Sequence, residues 1–148
     1  MKFIAKSFND LSNQQVYEIL KARAKVFMFE QKIWYLDMDN IDYNAYHLFL
    51  EENGEVLAYL RAFTGETEGE IHIGRVLSVE HNKGFGTILM NDAFEYFKEN
   101  SIKSIILNSQ ITAVNFYKKL GFTLVGSEFI EAGIPHVKMV KALWKIKF

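Results

Sequence analysis

Cysteine is absent from the chain, and proline occurs once, at Pro135. Without a thiol there is no disulfide scaffold, no thiolate metal site and no route through a cysteine acyl-enzyme. Arginine is scarce too, present only at Arg23, Arg61 and Arg75. Lys+Arg 17 against Asp+Glu 18 leaves a formal net charge of -1, so the field that gathers polyanions is missing and nucleic acid is not expected as a partner. Lys6 and Asp10 interrupt the apolar Phe3-Ile4-Ala5 before a signal-peptide core can form, and no other apolar run approaches bilayer length. No membrane partner is expected, and the expected location is cytoplasmic. The four histidines show neither His-x-x-x-His nor His-x-His spacing, so no metal site is expected.

What the chain has is core. Hydrophobic residues make up 49% and aromatics 15% of its 148 residues, enough to build one domain over residues 1–148 and too much for a long disordered tail. Phe3 to Ser7 reads as a short strand. Ser12 with Gln15 three residues on has the form of a capping box, and Val16, Ile19, Leu20, Val26 and Phe27 follow near helical period, which predicts a helix over 12–29. Trp34 to Tyr46 has no clear period and reads as irregular. His47 to Glu52 and Glu55 to Phe63, joined by Asn53-Gly54, carry the strongest hairpin signal, and Ile71 to Val79 reads as a central strand.

The second half alternates helix and strand. Leu89, Met90, Ala93, Phe94 and Phe97 make one buried helix face, Ser104 to Leu107 a short buried strand, and Ala113, Phe116, Tyr117 and Leu120 the stripe of a helix over 112–120 stopped by Gly121. Strands at 123–129 and 136–146, around a Gly133-Ile134-Pro135 turn, finish the chain. The order β-α-β-β-β-α-β-α-β-β mixes right-handed crossovers with hairpins, so an α/β fold with a mixed, mostly antiparallel central sheet and helices on both faces is expected.

The segment from Ile73 to Thr87 runs from a buried strand through Lys83-Gly84-Phe85-Gly86 into a helix. Such a junction converges unpaired backbone amides and the positive end of the helix dipole on one point, and glycine lets a diphosphate approach the main chain. A dinucleotide fingerprint would need a third glycine where Leu89 stands, and a Walker loop would need Gly-Lys-Ser/Thr, which is absent. Neither NAD nor ATP is favoured.

His81-Asn82-Lys83-Gly84-Phe85-Gly86 resembles the acyl-CoA loop of the GNAT acetyltransferases, Arg/Gln-x-x-Gly-x-Gly/Ala, with His81 at the first position. Ala113-Val114-Asn115-Phe116-Tyr117-Lys118-Lys119-Leu120-Gly121-Phe122 is similar to the family's Ala-x-x-x-Tyr-x-x-Leu-Gly-Phe helix, with Gln110 where the family often has asparagine. Within that superfamily the chain resembles the small ElaA-like branch over nearly its whole length. The residues that carry this are Arg23-x-x-Val26-Phe27-x-x-Glu30-Gln31, Tyr35-x-Asp37-x-Asp39, His47, Gly74-Arg75-Val76 and Gly133-Ile134-Pro135-His136.

The resemblance implies an N-acetyltransferase with acetyl-CoA as co-substrate and a small-molecule or peptide amine as acceptor. Pantetheine would lie beside the strand Leu77, Ser78 and Val79, and the pyrophosphate on Asn82, Lys83, Gly84, Phe85, Gly86 and Thr87, with Gln110, Asn115 and Tyr117 also on the cofactor. With no cysteine, direct attack by the amine in a ternary complex is the natural route. Tyr117, a phenol of ordinary pKa about 10, would return a proton to the departing thiolate. An ammonium must first lose a proton; Glu30, Asp37, Asp39, His72 and His136 are candidate bases, with Glu30 and His136 weighted highest by the branch resemblance. Arg23 and Arg75 either pair with Asp37 or Asp39 to form the site floor or meet an acidic substrate, while the cluster Asp37, Asp39 and Asp42 either attracts a cationic amine or is a solvated loop. Rival readings are a catalytically silent acyl-CoA-binding module, which would have no need of a phenol at Tyr117, and an interaction protein docking through the alternating tail Trp144, Ile146 and Phe148. That tail is also where a homodimer would form.

Overall fold

Strict alternation of side chains between two covered faces sets the middle of the sheet. In β2 (Tyr46–Glu52) and β3 (Glu55–Thr64), Leu48, Leu50, Leu60 and Ala62 join one apolar cluster, and Phe49 and Tyr59 join another on the opposite face. Asn53 at φ 53 and Gly54 at φ 80 form the two-residue turn between them, a backbone that matches the right-handed twist of the strands. The computed structural model describes residues 1–143. The end of the last expected strand, through Ile146, and the tail residues Trp144, Ile146 and Phe148 lie outside the described residues.

With β1 (Lys2–Ser7), β4 (Glu70–Ser78), β5 (Ser104–Gln110), β6 (Thr123–Glu131) and β7 (Ile134–Ala142), the described residues form one seven-stranded sheet in the order β1-β2-β3-β4-β5-β7-β6. Every neighbouring pair is antiparallel except β4 with β5. Helix α1 (Asn13–Arg23) covers one face through Ile19 and Ala22. Helix α2 (Phe85–Glu99) and the short α3 (Val114–Lys119) cover the other, α2 with Leu89, Met90, Ala93, Phe94 and Phe97. A fully buried side chain of that size contributes about 1.5–3 kcal/mol, so the α2 face is a principal anchor of the fold. The mixed, mostly antiparallel α/β sheet with helices on both faces is the expected architecture. No helix among the described residues is long and apolar enough to cross a membrane.

Three local departures from the sequence pattern shape the molecule's central cleft. The capping box forms, Gln15 N donating to Ser12 Oγ and Ser12 N to Gln15 Oε1, both at 3.0 Å. The α-helix, however, ends at Arg23 and continues as a π-helical stretch, Ala24–Glu30, with Gln31 N donating to Val26 O at 2.9 Å. The wider turn keeps Val26 in the core while Phe27 and Met28 rotate into the cleft.

The second departure is a bulge in β4. Tyr59 pairs with Leu77 and Arg61 with Gly74, so both Arg75 and Val76 stand opposite Leu60, and Arg75 takes φ 53. Bulges bend a strand and raise its twist. Here β4 stays paired with β5 only over Glu70–His72, and the two strands then diverge. Third, the β6–β7 turn consists of Ala132 at φ 51 and Gly133 at φ 74, so the strands run to Glu131 and resume at Ile134, a tighter hairpin than the proline alone predicts.

Candidate active site

At the start of α2 the backbone is open to an anion. Gly84, at φ 77, caps the helix without a side-chain bond; the first intrahelical bond is Ile88 N to Gly84 O at 3.1 Å, and the first turn carries no acidic residue. The amides of Phe85, Gly86 and Thr87 therefore have no helical partner. A Cβ built on Gly84 would meet nothing within 4 Å, and one on Gly86 would stand 3.4 Å from the Phe116 ring, so the glycines leave a cradle that a side chain would fill. Asn82, at φ 62, and exposed Lys83 complete the loop. His81, at its first position, turns away from the helix to Glu30, Nε2 to Oε2 at 2.9 Å.

Where β4 and β5 part, one edge of β4 loses its partner. Val79 N donates to Leu57 O at 3.0 Å, so alternation directs Leu77 toward the same neighbour and turns the Ser78 N–H into the gap. Leu77 is otherwise a core side chain, and Ser78 Oγ donates to Glu80 O at 2.8 Å. Tyr117, on α3, is 7% exposed and lines the cleft that opens from this gap; its hydroxyl has no hydrogen-bond partner among the described residues. Burial pushes its pKa above the ordinary phenol value, which keeps the proton on.

The cleft has a volume of about 720 Å³. Its floor is a closed ring of alternating charge made from all three arginines of the chain. Arg23 donates from Nε to Asp37 Oδ2 at 2.8 Å and from Nη1 to Asp42 Oδ1 at 2.7 Å. Arg61 reaches the same Asp42 oxygen at 3.1 Å and grips Asp39 with both terminal nitrogens at 2.8 and 2.7 Å. Arg75 closes the circle, Nε to Asp37 Oδ1 at 2.7 Å and Nη2 to Asp39 Oδ2 at 3.5 Å. Each arginine meets two aspartates and each aspartate two arginines. The Arg61 bond holds the Asp39 carboxyl down to about 2. At Asp42 burial, the largest single influence, raises the pKa, but the bonds and charges of Arg23 and Arg61 together outweigh it and the pKa is lowered.

On the opposite wall His136 is 7% exposed. Its Nδ1 donates to the Ile134 carbonyl at 2.7 Å, which leaves Nε2 to accept a proton, with Glu131 Oε2 3.6 Å away. His72 lines the same cleft, stacked on Phe63, and burial lowers its pKa. Gln110 is there too, its Nε2 donating to Gln31 Oε1 at 2.9 Å. Of the other residues singled out in the sequence, Asn115 is exposed on α3 and Glu30 stands with His81 beside the glycine loop; neither lines the cleft.

A family model described as an acetyltransferase (GNAT) domain matches residues 8–143. The chain belongs to the GNAT acetyltransferase family. It is 38% identical over 144 residues to a UPF0039 protein of Schizosaccharomyces pombe, covering 94% of this chain and 95% of that one. With Escherichia coli protein ElaA it shares 33% identity over 139 residues, 90% of this chain and 91% of the relative. A solved acyl-CoA N-acyltransferase from Pseudomonas aeruginosa superposes with a TM-score of 0.87 at 32% identity, covering 96% of this chain and all of that one, 100%. The family is one of acyl-CoA-dependent acyltransfer, and the cradle at Gly84, the β4–β5 gap and the unpartnered Tyr117 hydroxyl are compatible with an acyl-CoA lying between α2 and the sheet.

In this GNAT chain the sequence left two features unread. Arg61 reads as one more residue of a hairpin strand, yet it holds Asp39 and Asp42. Glu131 reads as the start of a loop on the acceptor side, but its pairing with His136 does not: the tight Ala132–Gly133 corner brings the two together. Its signal was an acidic residue immediately before a turn that carries a histidine just beyond it.

Proposed function

We propose that this chain is a single acetyltransferase domain that moves an acetyl group from acetyl-CoA to a primary amine of a small molecule or peptide, by direct attack in a ternary complex. The observation that carries the reading is that the Tyr117 hydroxyl, free of any partner among the described residues, shares one cleft with His136 and with Val76 and Leu107, which lie beyond the last paired residues of β4 and β5. Acetyl-CoA supplies an acyl group activated as a thioester. The loop Asn82 to Thr87 binds its diphosphate through backbone amides, with Lys83 adding charge. Ser78 N–H hydrogen-bonds the carbonyl oxygen as negative charge develops on it. His136 Nε2 takes the proton from the acceptor ammonium, and Glu131 stabilises the imidazolium that results. As the N–C bond forms and the C–S bond breaks, the Tyr117 O–H delivers a proton to the sulfur, and the second proton that the nitrogen sheds on becoming an amide restores the phenol.

Asp37, Asp39 and Arg75 form the floor against which the acceptor lies; Arg23, buried beneath them, holds Asp37, and Arg61 holds Asp39. We assign the reaction to the cytoplasm on the sequence alone. Incubation with acetyl-CoA and a panel of primary amines, following free thiol and acetylated product together, tests the reading. Tight CoA binding with no amine acetylated would sink it.

A further inference from the structure

We infer that the acceptor is a monoamine whose single ammonium sits on an apolar or aromatic body, selected jointly by Glu131 and by the exposed strip Tyr35, Leu36 and Met38. This rests on the acetyl transfer proposed above and names the substrate class of the same cleft.

Charge comes first. The three arginines and three aspartates of the ring cancel, and their polar atoms are largely spent on one another. Among the described residues no lysine lines the cleft, and Glu131 is the one acidic or basic lining residue, histidines apart, outside the ring. Its carboxylate accepts from Asn108 Nδ2 at 3.3 Å and lies beside His136 Nε2 at 3.6 Å, so it is an anchor for one ammonium next to the group that would deprotonate it. A second ammonium on a polyamine would be desolvated in the cleft without a counter-charge. An acidic acceptor would meet Glu131 and three arginines whose charge is already matched by three aspartates.

Apolar surface comes second. Tyr35, Leu36 and Met38, three apolar residues within four positions, are 65%, 78% and 53% exposed and line the cleft mouth, an apolar strip left facing water. The strip adjoins the charge anchor: a Cβ on Gly133 would stand 3.8 Å from the Tyr35 ring edge and hydroxyl, and Gly133 is two residues from Glu131. An ammonium on Glu131 therefore leaves its substituent against the Tyr35 ring, where apolar or aromatic area is covered rather than left in water.

Thiol release with acetyl-CoA is measured for 2-phenylethylamine, ethylamine, spermidine and O-phosphoethanolamine, in the native chain and in Tyr35→Ala and Glu131→Gln. Calorimetric titration with CoA runs alongside. The native kcat/KM for 2-phenylethylamine should exceed each of the other three by at least about tenfold. Tyr35→Ala, at an exposed site that leaves the core intact, should shrink the 2-phenylethylamine to ethylamine ratio about tenfold, and Glu131→Gln should raise the KM for both monoamines. Preference for spermidine or O-phosphoethanolamine, or an unchanged ratio in Tyr35→Ala, overturns the acceptor class and leaves acetyl transfer standing. CoA binding without turnover of any amine defeats acetyl transfer, and this inference with it.

Discussion

Arg75 places its Nε 2.7 Å from Asp37 Oδ1 while its own backbone is held at φ 53, a left-handed conformation in the middle of β4. The bulge that forces this backbone also parts β4 from β5, so one local irregularity both opens the cleft and completes its floor. A left-handed non-glycine residue costs of order 1–3 kcal/mol and persists only where its surroundings over-determine it. Here the ring supplies that determination.

Removing one member of the ring should therefore be expensive. Asp42 receives a bond from both Arg23 and Arg61, and Arg23 is 1% exposed, so Asp42→Ala leaves two buried guanidiniums each without one of its two carboxylates. Breaking a buried pair from one side costs about 3–5 kcal/mol. Chemical denaturation of Asp42→Ala should show a loss of that order; a loss below about 1 kcal/mol would mean that the ring is solvated in solution.

The pH dependence of stability follows from the same groups. Asp39 and Asp42 have folded pKa values below their ordinary one, so the stability they give is present above about pH 4 and is lost as pH falls toward 2. Burial likewise lowers the pKa of His47, whose Nδ1 lies 2.7 Å from the Tyr59 hydroxyl and whose Nε2 lies 3.0 Å from Asp42 O. Its share is full above about pH 6.5 and declines as pH drops through that value. Denaturation midpoints should thus be level from pH 8 to 7, sag gently below about 6.5 and fall steeply below about 4. A midpoint that rises on acidification would contradict both assignments.

What was legible in the sequence was local. The capping box, the Asn53-Gly54 turn and the period-two strands around it depend on neighbours a few residues apart, and each stands in the structure where its residues put it. The glycine loop and the Tyr117 helix were legible as motifs of a known family. Of the ring, the pairing of Arg23 and Arg75 with Asp37 or Asp39 was legible as one of two alternatives; its closure through Arg61 was not, because Arg61 lies 19 positions from Asp42 and 22 from Asp39 and no periodicity links them. The π-helical turn at Ala24–Glu30 was hidden for a related reason: its apolar residues suit an ordinary helix, and the long-range hold on Arg23 accompanies a change of pitch that composition does not announce.

CoA binding should depend on Gly86. A Cβ there would sit 3.4 Å from Phe116, a contact that a small ring shift accommodates, so Gly86→Glu should fold. Its carboxylate, however, would occupy the first turn of α2 and satisfy or repel at the amides that a diphosphate needs. Calorimetry should find no CoA binding while circular dichroism remains native. Unchanged affinity in the folded variant would move the cofactor off this loop.

His136 should matter for turnover rather than for CoA. Because Nδ1 is engaged by Ile134 O, His136→Gln keeps a polar side chain at the wall but offers no basic nitrogen. The expected result is a drop in kcat of about 10²-fold or more with CoA affinity retained, partly reversed as pH is raised and more of the amine arrives deprotonated. A wild-type rate at neutral pH would pass the role of base to a water chain.

Tyr117 separates a catalyst from a binder. Its ring is packed: centroids of Phe116 and Phe122 lie 5.1 and 5.6 Å away, both edge-on, so a purely structural tyrosine would be satisfied by its ring alone. Such a residue buries its hydroxyl against a partner or is replaced by phenylalanine, because an unbonded buried hydroxyl costs about 1–3 kcal/mol. Here the hydroxyl has no partner among the described residues and its ring borders the cleft, while burial holds the proton on well past neutrality. That is the state a general acid requires. Tyr117→Phe should therefore keep or slightly raise the denaturation midpoint and keep acetyl-CoA affinity, yet lower turnover by at least about tenfold, a floor set by water replacing the phenol. Measured with a responsive amine at saturating acetyl-CoA, native turnover in that variant would return Tyr117 to the core and leave the thiolate to take its proton from solvent.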